Sequence, residues 1–325
     1  MSLKDYKYFV AVAEEQHFGR AATRCNVSQP TLSVQLKKLE EQLGVLLFER
    51  HPRQVVLTMA GQVVLAKARQ MLRLEQEILQ LAQAATDPLS GPLRLGIIPT
   101  IGPYLLPHFV PYQTQTAPQL KPLLTEAKTE DLLQMLREGA LDAAILALPL
   151  DNVDDLATTP LYQEFFYLAL PETHPLASKK LPSTQDIPEG ELLLLTEGHC
   201  LRGHALDVCE FLGAAENASL RATSLETLRY MVMAGQGVTL LPSLALDWPK
   251  AGEGGAHLTS TLPSWPHMAI RPVKGSNMDR PARQIGVVFR YGYPRASALK
   301  KMFLAFATHL LSTQQGLAAL DKETR

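Results

Sequence analysis

The sequence predicts an α/β protein headed by a helical module, on three observations. The first hundred residues read as helix after helix; Asp87-Pro-Leu-Ser-Gly-Pro92 then breaks the pattern; beyond it short apolar runs alternate with helical ones. A length of 325 residues suits two or three domains. With 46% hydrophobic and 19% charged residues, and 31 Lys+Arg against 32 Asp+Glu, the composition is that of an ordinary globular chain and excludes disorder as the dominant state. No apolar run approaches the roughly 20 residues of a membrane span. Asp5, Glu14 and Glu15 interrupt the start where a secretory signal would need an apolar core. Cys25, Cys200 and Cys209 are too few for a disulfide scaffold, so the cytoplasm is the expected compartment.

Ser2 is placed to cap a first helix with Asp5 in its opening turn, and Leu3, Tyr6, Phe9, Val10 and Ala13 form its apolar face. Phe18–Cys25 reads as a second, shorter helix. Ser28 caps a third, with Pro30 in its first turn, a stripe of Leu32, Leu36, Leu39 and Leu43, and Gly44 as the stop. Arg53–Thr58 reads as a short ribbon with a turn at His51-Pro52. Gly61 to Ala85 lacks proline and, as one helix, would reach about 37 Å. Val64, Met71, Ile78 and Ala85 recur every seven residues, as do Leu65, Leu72 and Leu79, a seam suited to pairing with another helix or to packing on its own domain.

After the break, strands are expected at Leu93–Ile98, Leu120–Ala127, Ala143–Leu148, Phe165–Leu170, Leu192–Thr196, Leu220–Thr223, Gly237–Leu241 and Ile285–Arg290. Helical patterns lie between several of them, for example Asp131–Glu138 and Leu225–Ala234. That alternation argues a mostly parallel sheet, or two small ones.

Helix, tight turn, helix over Phe18–Gly44, with the small pair Ala21-Ala22 at the contact, is a geometry in which the second helix enters the major groove. Gln29, Thr31, Ser33 and Gln35 would read base edges; Lys37, Lys38, Arg50 and Arg53 suit phosphates. Residues 1–60 hold eight Lys/Arg against six Asp/Glu, so charge alone does not establish a DNA partner. The run Phe18–Ser33 with Gln35, Leu39-Glu40, Leu43-Gly44, Leu47–Arg50 and Thr58–Gly61 resembles the winged helix-turn-helix of LysR-type transcriptional regulators. The resemblance implies double-stranded DNA as partner, with Pro30 among the DNA-binding residues. It also implies a winged helix-turn-helix domain over 1–60, a dimerising linker helix over 61–87, and a regulatory region over 88–312. That region would have two α/β subdomains of periplasmic-binding-protein type around a hinge, followed by a tail over 313–325. A homotetramer built as a dimer of dimers, with a contact to RNA polymerase, would complete the picture.

The segment Thr196–Cys209 carries the densest chemistry. Cys200 follows a strand end and precedes a helical pattern, flanked by His199 and Arg202, and positive charge and a helix start both favour the thiolate. Peroxide would convert such a thiolate to a sulfenic acid, which a second thiol can condense with; the alternative is two small buried hydrophobes. If the stretch 200–209 is helical, its two Cα atoms lie about 13.5 Å apart, beyond the roughly 7 Å that a disulfide bridges. Forming the bond would therefore remodel the segment, and Gly198 and Gly203 ease that. His199, Cys200, His204 and Cys209 also approach a metal-ligand spacing, yet thiol chemistry accounts for the same residues, and neither a metal nor a cofactor is expected.

Ile98–Pro107, Gly198–Arg202 and Arg221–Arg229 resemble the hydrogen-peroxide-sensing members of the LysR type. The resemblance implies Cys200 as the peroxidatic and Cys209 as the resolving cysteine, with Thr100, Thr129, His199 and Arg283 binding peroxide. Hydroxyls and a guanidinium can donate to peroxide oxygens. Where such relatives often carry Asp-Gln after the Cys-x-Arg, this chain has Gly203-His204, which changes the charge beside Cys200. The expected function is thus a peroxide-responsive regulator of oxidative-stress genes rather than an enzyme. Two other readings stand beside it: a regulator binding a small-molecule inducer between its subdomains, and a thiol peroxidase. Cys25 and His17 read as packing or surface residues.

Overall fold

In the computed structural model, which describes residues 1–51, 54–84, 87–196, 221–246, 265–274 and 280–320, Ser2 and Asp5 form a reciprocal capping box at the start of α1 (Leu3–Glu15). His17 caps α2 (Phe18–Arg24): its Nδ1 accepts from the N–H groups of Gly19 and Arg20 at 3.0 and 3.2 Å. Ser28 caps α3 (Gln29–Leu43) by accepting from the Thr31 N–H, and Gly44 ends it in the left-handed region at φ 69°. Phe9, Ala21, Ala22, Leu32, Leu36, Leu39 and Phe48 form the core, with the rings of Phe9 and Phe18 set edge-on to Phe48. Leu3, expected inside, is exposed, whereas Tyr8, Ala11 and Val12 are buried. The reason is that α2, α3 and a fourth helix all pack on α1, covering more of its circumference than one stripe.

The ribbon is β1 (Phe48–His51) paired antiparallel with β2 (Gln54–Leu57), so His51 closes a strand that sequence reading gave to the turn. The long helix α4 (Met59–Ala84) starts ahead of Gly61 because the Thr58 hydroxyl accepts from the Gly61 N–H at 2.9 Å. Glycine is required there: a Cβ would stand 2.2 Å from the Leu47 carbonyl oxygen. The chain divides into two units, Met1–Thr86 and Asp87–Arg325.

The second unit has two apolar cores joined by one long strand. Its elements begin with β3 (Gly91–Ile97), α5 (Gly102–Thr116), β4 (Leu120–Glu126), α6 (Thr129–Arg137) and β5 (Ala143–Leu148), followed by β6 (Leu156–Pro171). Next come β7 (Leu194–Leu195), β8 (Arg221–Ala222), α7 (Leu225–Met233), β9 (Thr239–Pro242) and β10 (Met268–Pro272). The last are β11 (Ala282–Arg290), α8 (Ala296–Thr313) and β12 (Leu317–Ala318). The main sheet runs β10-β6-β11-β5-β3-β4, with β9 and β12 also on β6. Only β3–β4, β3–β5 and β7–β8 pair in parallel among the described strands, which corrects the expectation of a mostly parallel sheet. In the main sheet α5 and α6 make the crossovers of the parallel pairs; β6 and β11 pair antiparallel with each other, and β11 pairs the same way with β5. Sequence reading found only the second half of β6. Its first half, Leu156–Glu164, carries Thr158, Thr159, Gln163 and Glu164, which break an apolar run. Leu161 and Tyr162 belong to the first core and Phe166–Leu170 to the second, so β6 passes from one to the other.

Candidate functional site

The carboxyl ends of the neighbouring parallel strands β3 and β4 lead into α5 and α6, the region of an α/β sheet where ligands bind. Thr100 sits in the turn ahead of α5 and is buried; Thr129 is the first residue of α6 and is half-buried. Arg283 enters β11 directly opposite Glu164 of β6, at the point where β6 leaves the first core. The structure brings Thr100 and Arg283 together: Nη1 donates to the Thr100 hydroxyl at 3.0 Å and Nη2 to its carbonyl at 2.9 Å. Arg283 retains 2% of its exposure and Glu164 none, and the Arg283 Nε donates to a Glu164 carboxylate oxygen at 2.8 Å. The other Glu164 oxygen accepts from the Leu244 N–H at 2.9 Å.

Two buried charges are tolerable here because the guanidinium fork and carboxylate pair, and their remaining valences meet the Thr100 hydroxyl and backbone groups. Tyr162 lies in the same setting. Burial foremost, then the Glu164 charge, pushes its phenol well above the usual range, with Arg283 opposing. His199, Cys200 and Cys209 lie outside the described residues.

On the amino-terminal unit, α3 presents Gln29, Pro30 and Thr31 exposed at its start, Ser33 and Gln35 half-buried, and Lys37 and Lys38 exposed. The Ser28 hydroxyl lies 2.8 Å from that of Thr31. Val34, 53% exposed, shares this surface, and an apolar side chain there can meet a thymine methyl group. Sequence reasoning passed over Val34 although it falls outside the leucine stripe. It also passed over Glu164, a lone acid in the otherwise uncharged Leu161–Leu170. Arg50 lies in β1, and Arg53 is outside the described residues. Among the described residues no group of three or more His, Cys, Asp or Glu is placed to hold a metal, and no helix is long and apolar enough to cross a membrane.

Comparison with known proteins adds the following. Residues 3–62 match the bacterial regulatory helix-turn-helix proteins of the lysR family, and residues 86–310 match the LysR substrate binding domain. The chain is 43% identical over 302 residues to the DNA-binding transcriptional dual regulator OxyR of Escherichia coli, covering 93% of each. It resembles a full-length OxyR from Pseudomonas aeruginosa bearing a cysteine-to-aspartate change, at TM-score 0.73 and 38% identity over 99% of both chains. A peroxide-bound OxyR mutant from Corynebacterium glutamicum is similar at TM-score 0.60 and 34% identity, over 96% of this chain and 92% of that one.

Proposed function

The chain belongs to the LysR family of bacterial transcriptional regulators, and we propose that it senses hydrogen peroxide through Cys200 and Cys209 and transmits the change to promoter DNA. It is a regulator and not an enzyme. The observation that carries the sensing role is the buried Arg283 donating to Thr100 at the carboxyl end of β3. Around it, the Thr100 and Thr129 hydroxyls, His199 and Arg283 hold peroxide. The Cys200 thiolate attacks one peroxide oxygen; the S–O bond forms, the O–O bond breaks, and the departing hydroxide takes a proton to become water. Sulfur loses the two electrons that peroxide gains. The Cys209 thiol then displaces water from the sulfenic acid, leaving the disulfide.

At the other end, Gln29, Pro30, Thr31, Ser33 and Gln35 read the operator while Lys37, Lys38, Arg50 and Arg53 hold phosphates. Assembly runs through α4. Its first half packs Val64, Leu65, Ala68 and Leu72 on its own core, while Met71, Leu74, Ile78 and Leu79 stay exposed for a second copy. Two such dimers form the tetramer, which works in the cytoplasm and contacts RNA polymerase from the promoter. Among the described residues no observation favours an inducer between the subdomains. A cavity of about 430 Å³ does exist, but it lies between β6 and α8, lined by Leu161, Leu304, Thr308 and Leu311 among others, away from Thr100.

The test is mild peroxide treatment of the reduced full-length protein, followed by a non-reducing peptide map and operator footprinting. A linked Cys200–Cys209 peptide and a shifted footprint are expected, both lost in Cys200→Ser. A footprint that still shifts in Cys200→Ser rejects the mechanism.

A further inference from the structure

Resting on the sensing role just described, we propose that Glu164 is the positioning residue of the peroxide site. It holds the Arg283 fork so that the guanidinium donates to both oxygens of Thr100. The consequence for Thr100 follows from hydroxyl chemistry. A hydroxyl that accepts a hydrogen bond from a guanidinium keeps its own hydrogen to donate elsewhere, and no other partner of the Thr100 hydroxyl occurs among the described residues. Arg283 therefore turns Thr100 into a donor, and in the sensing role proposed above that donor serves the peroxide oxygen that accumulates charge as the O–O bond breaks.

Arg283 can do this only if it is itself held. A guanidinium on a flexible side chain has many rotamers, and inside an apolar core its charge needs a counter-charge. Glu164 supplies both. Its carboxylate takes Nε at 2.8 Å and, on its second oxygen, the Leu244 N–H at 2.9 Å, so the acid is fixed from two sides before it fixes the arginine. Strand register adds a backbone restraint, since Glu164 and Arg283 are direct cross-strand neighbours. Leu244 follows β9, which pairs with the second-core half of β6, whereas Thr100 follows β3 of the first core. Leu244 itself packs in the first core but is carried by the turn after β9, so the chain Leu244–Glu164–Arg283–Thr100 ties the ends of β3 and β9 together and its geometry depends on both strands.

The experiment compares Glu164→Gln and Glu164→Asp with the wild type, each as reduced full-length protein, alone and combined with Thr100→Val. Two rates are read at Cys200: oxidation by peroxide and alkylation by iodoacetamide, which needs the thiolate but no O–O cleavage. Glu164→Gln is expected to slow peroxide oxidation at least about tenfold, short of the roughly hundredfold or more of removing an oriented donor outright, while alkylation stays within about twofold. Glu164→Asp retracts the carboxylate, so that it cannot reach Nε and the Leu244 N–H together, and is expected to slow oxidation about threefold to tenfold. In the Thr100→Val background the Glu164 changes should add less than about twofold, because the donor they orient is gone. Oxidation at the wild-type rate in either variant overturns the proposal. So does parallel slowing of alkylation, or an undiminished Glu164 effect in the Thr100→Val background. If Glu164→Gln yields no folded protein, Glu164→Asp decides by the same criteria. A wild type that forms no Cys200–Cys209 linkage defeats the sensing role itself and this proposal with it, whereas a normal wild type with indifferent Glu164 variants defeats this proposal alone.

Discussion

Among the described residues of the amino-terminal unit the buried charged side chain is Glu40, whose carboxylate accepts from the N–H groups of Leu47 and Phe48 at 2.8 and 3.3 Å. The unit's ion pairs, such as Lys7–Glu75 and Arg24–Glu14, lie where water reaches them and contribute little each. The regulatory unit instead buries Asp142, Glu164, Arg283 and Arg295. Arg295 donates to the carbonyls of Pro88, Ser90 and Pro92, all within 2.8 Å. The contrast follows from what each unit does. A reading head works with its exposed surface, so an apolar core with capped helices suffices. A peroxide sensor has to hold charged groups away from water and still give each of them a partner, and its stability becomes tied to the geometry of its site.

The largest effect that tests this contrast is expected from Arg283→Met. It leaves the Glu164 carboxylate buried with its cationic partner removed, and losing one member of such a pair costs about 3–5 kcal/mol. Urea unfolding of the full-length protein, followed by circular dichroism, reads the loss in the regulatory transition. The double variant Arg283→Met with Glu164→Met removes both charges and is expected to recover most of that stability while abolishing peroxide sensitivity. If the single variant unfolds at the wild-type midpoint, the buried pair is not what sets the regulatory unit apart.

The counterpart on the reading head is smaller. Ser28→Ala removes the acceptor for the Thr31 N–H at the start of α3 and is expected to cost about 1 kcal/mol, with a parallel loss of operator affinity because Gln29 and Thr31 share that first turn. Urea unfolding and an operator titration at fixed salt check it. A loss as large as that of Arg283→Met would show that the head, too, depends on a polar network.

The same contrast decided what could be read from the sequence. The three helices of the head were legible because their signals are local: Ser2 and Asp5, Ser28 and Pro30, Gly44, and a leucine stripe at helical spacing. The candidate peroxide residues Thr100 and Arg283 came from family resemblance, and nothing local announces that residues 183 positions apart will meet. Glu164 was missed for the same reason, since its partners come from β11 and from the turn after β9, neither of which is near it in the chain. The parallel-sheet expectation failed on β6 and β11 because strand direction is set by tertiary connection rather than by the alternation of residues.

The smallest effect concerns a titrating group that belongs to neither site. His108 lies on α5, half-buried, and burial first, then the charge of the neighbouring His309, holds its imidazole below the ordinary value of 6.5. His309 on α8 packs against the Tyr112 ring, which ties the pair to the contact between the two helices. The unfolded chain takes up a proton at His108 at a higher pH than the folded chain does, so in that interval the unfolded state binds more protons and stability rises with pH. The contribution is therefore fully present above about pH 6.5 and is lost as pH falls towards the depressed folded value. His108→Gln should flatten the fall in urea midpoint between about pH 7.5 and pH 5.5 while leaving the midpoint at the upper end nearly unchanged. An unaltered slope would mean that groups elsewhere carry the acid sensitivity of the regulatory unit. Its charge management would then reside wholly in the buried arginines and their partners.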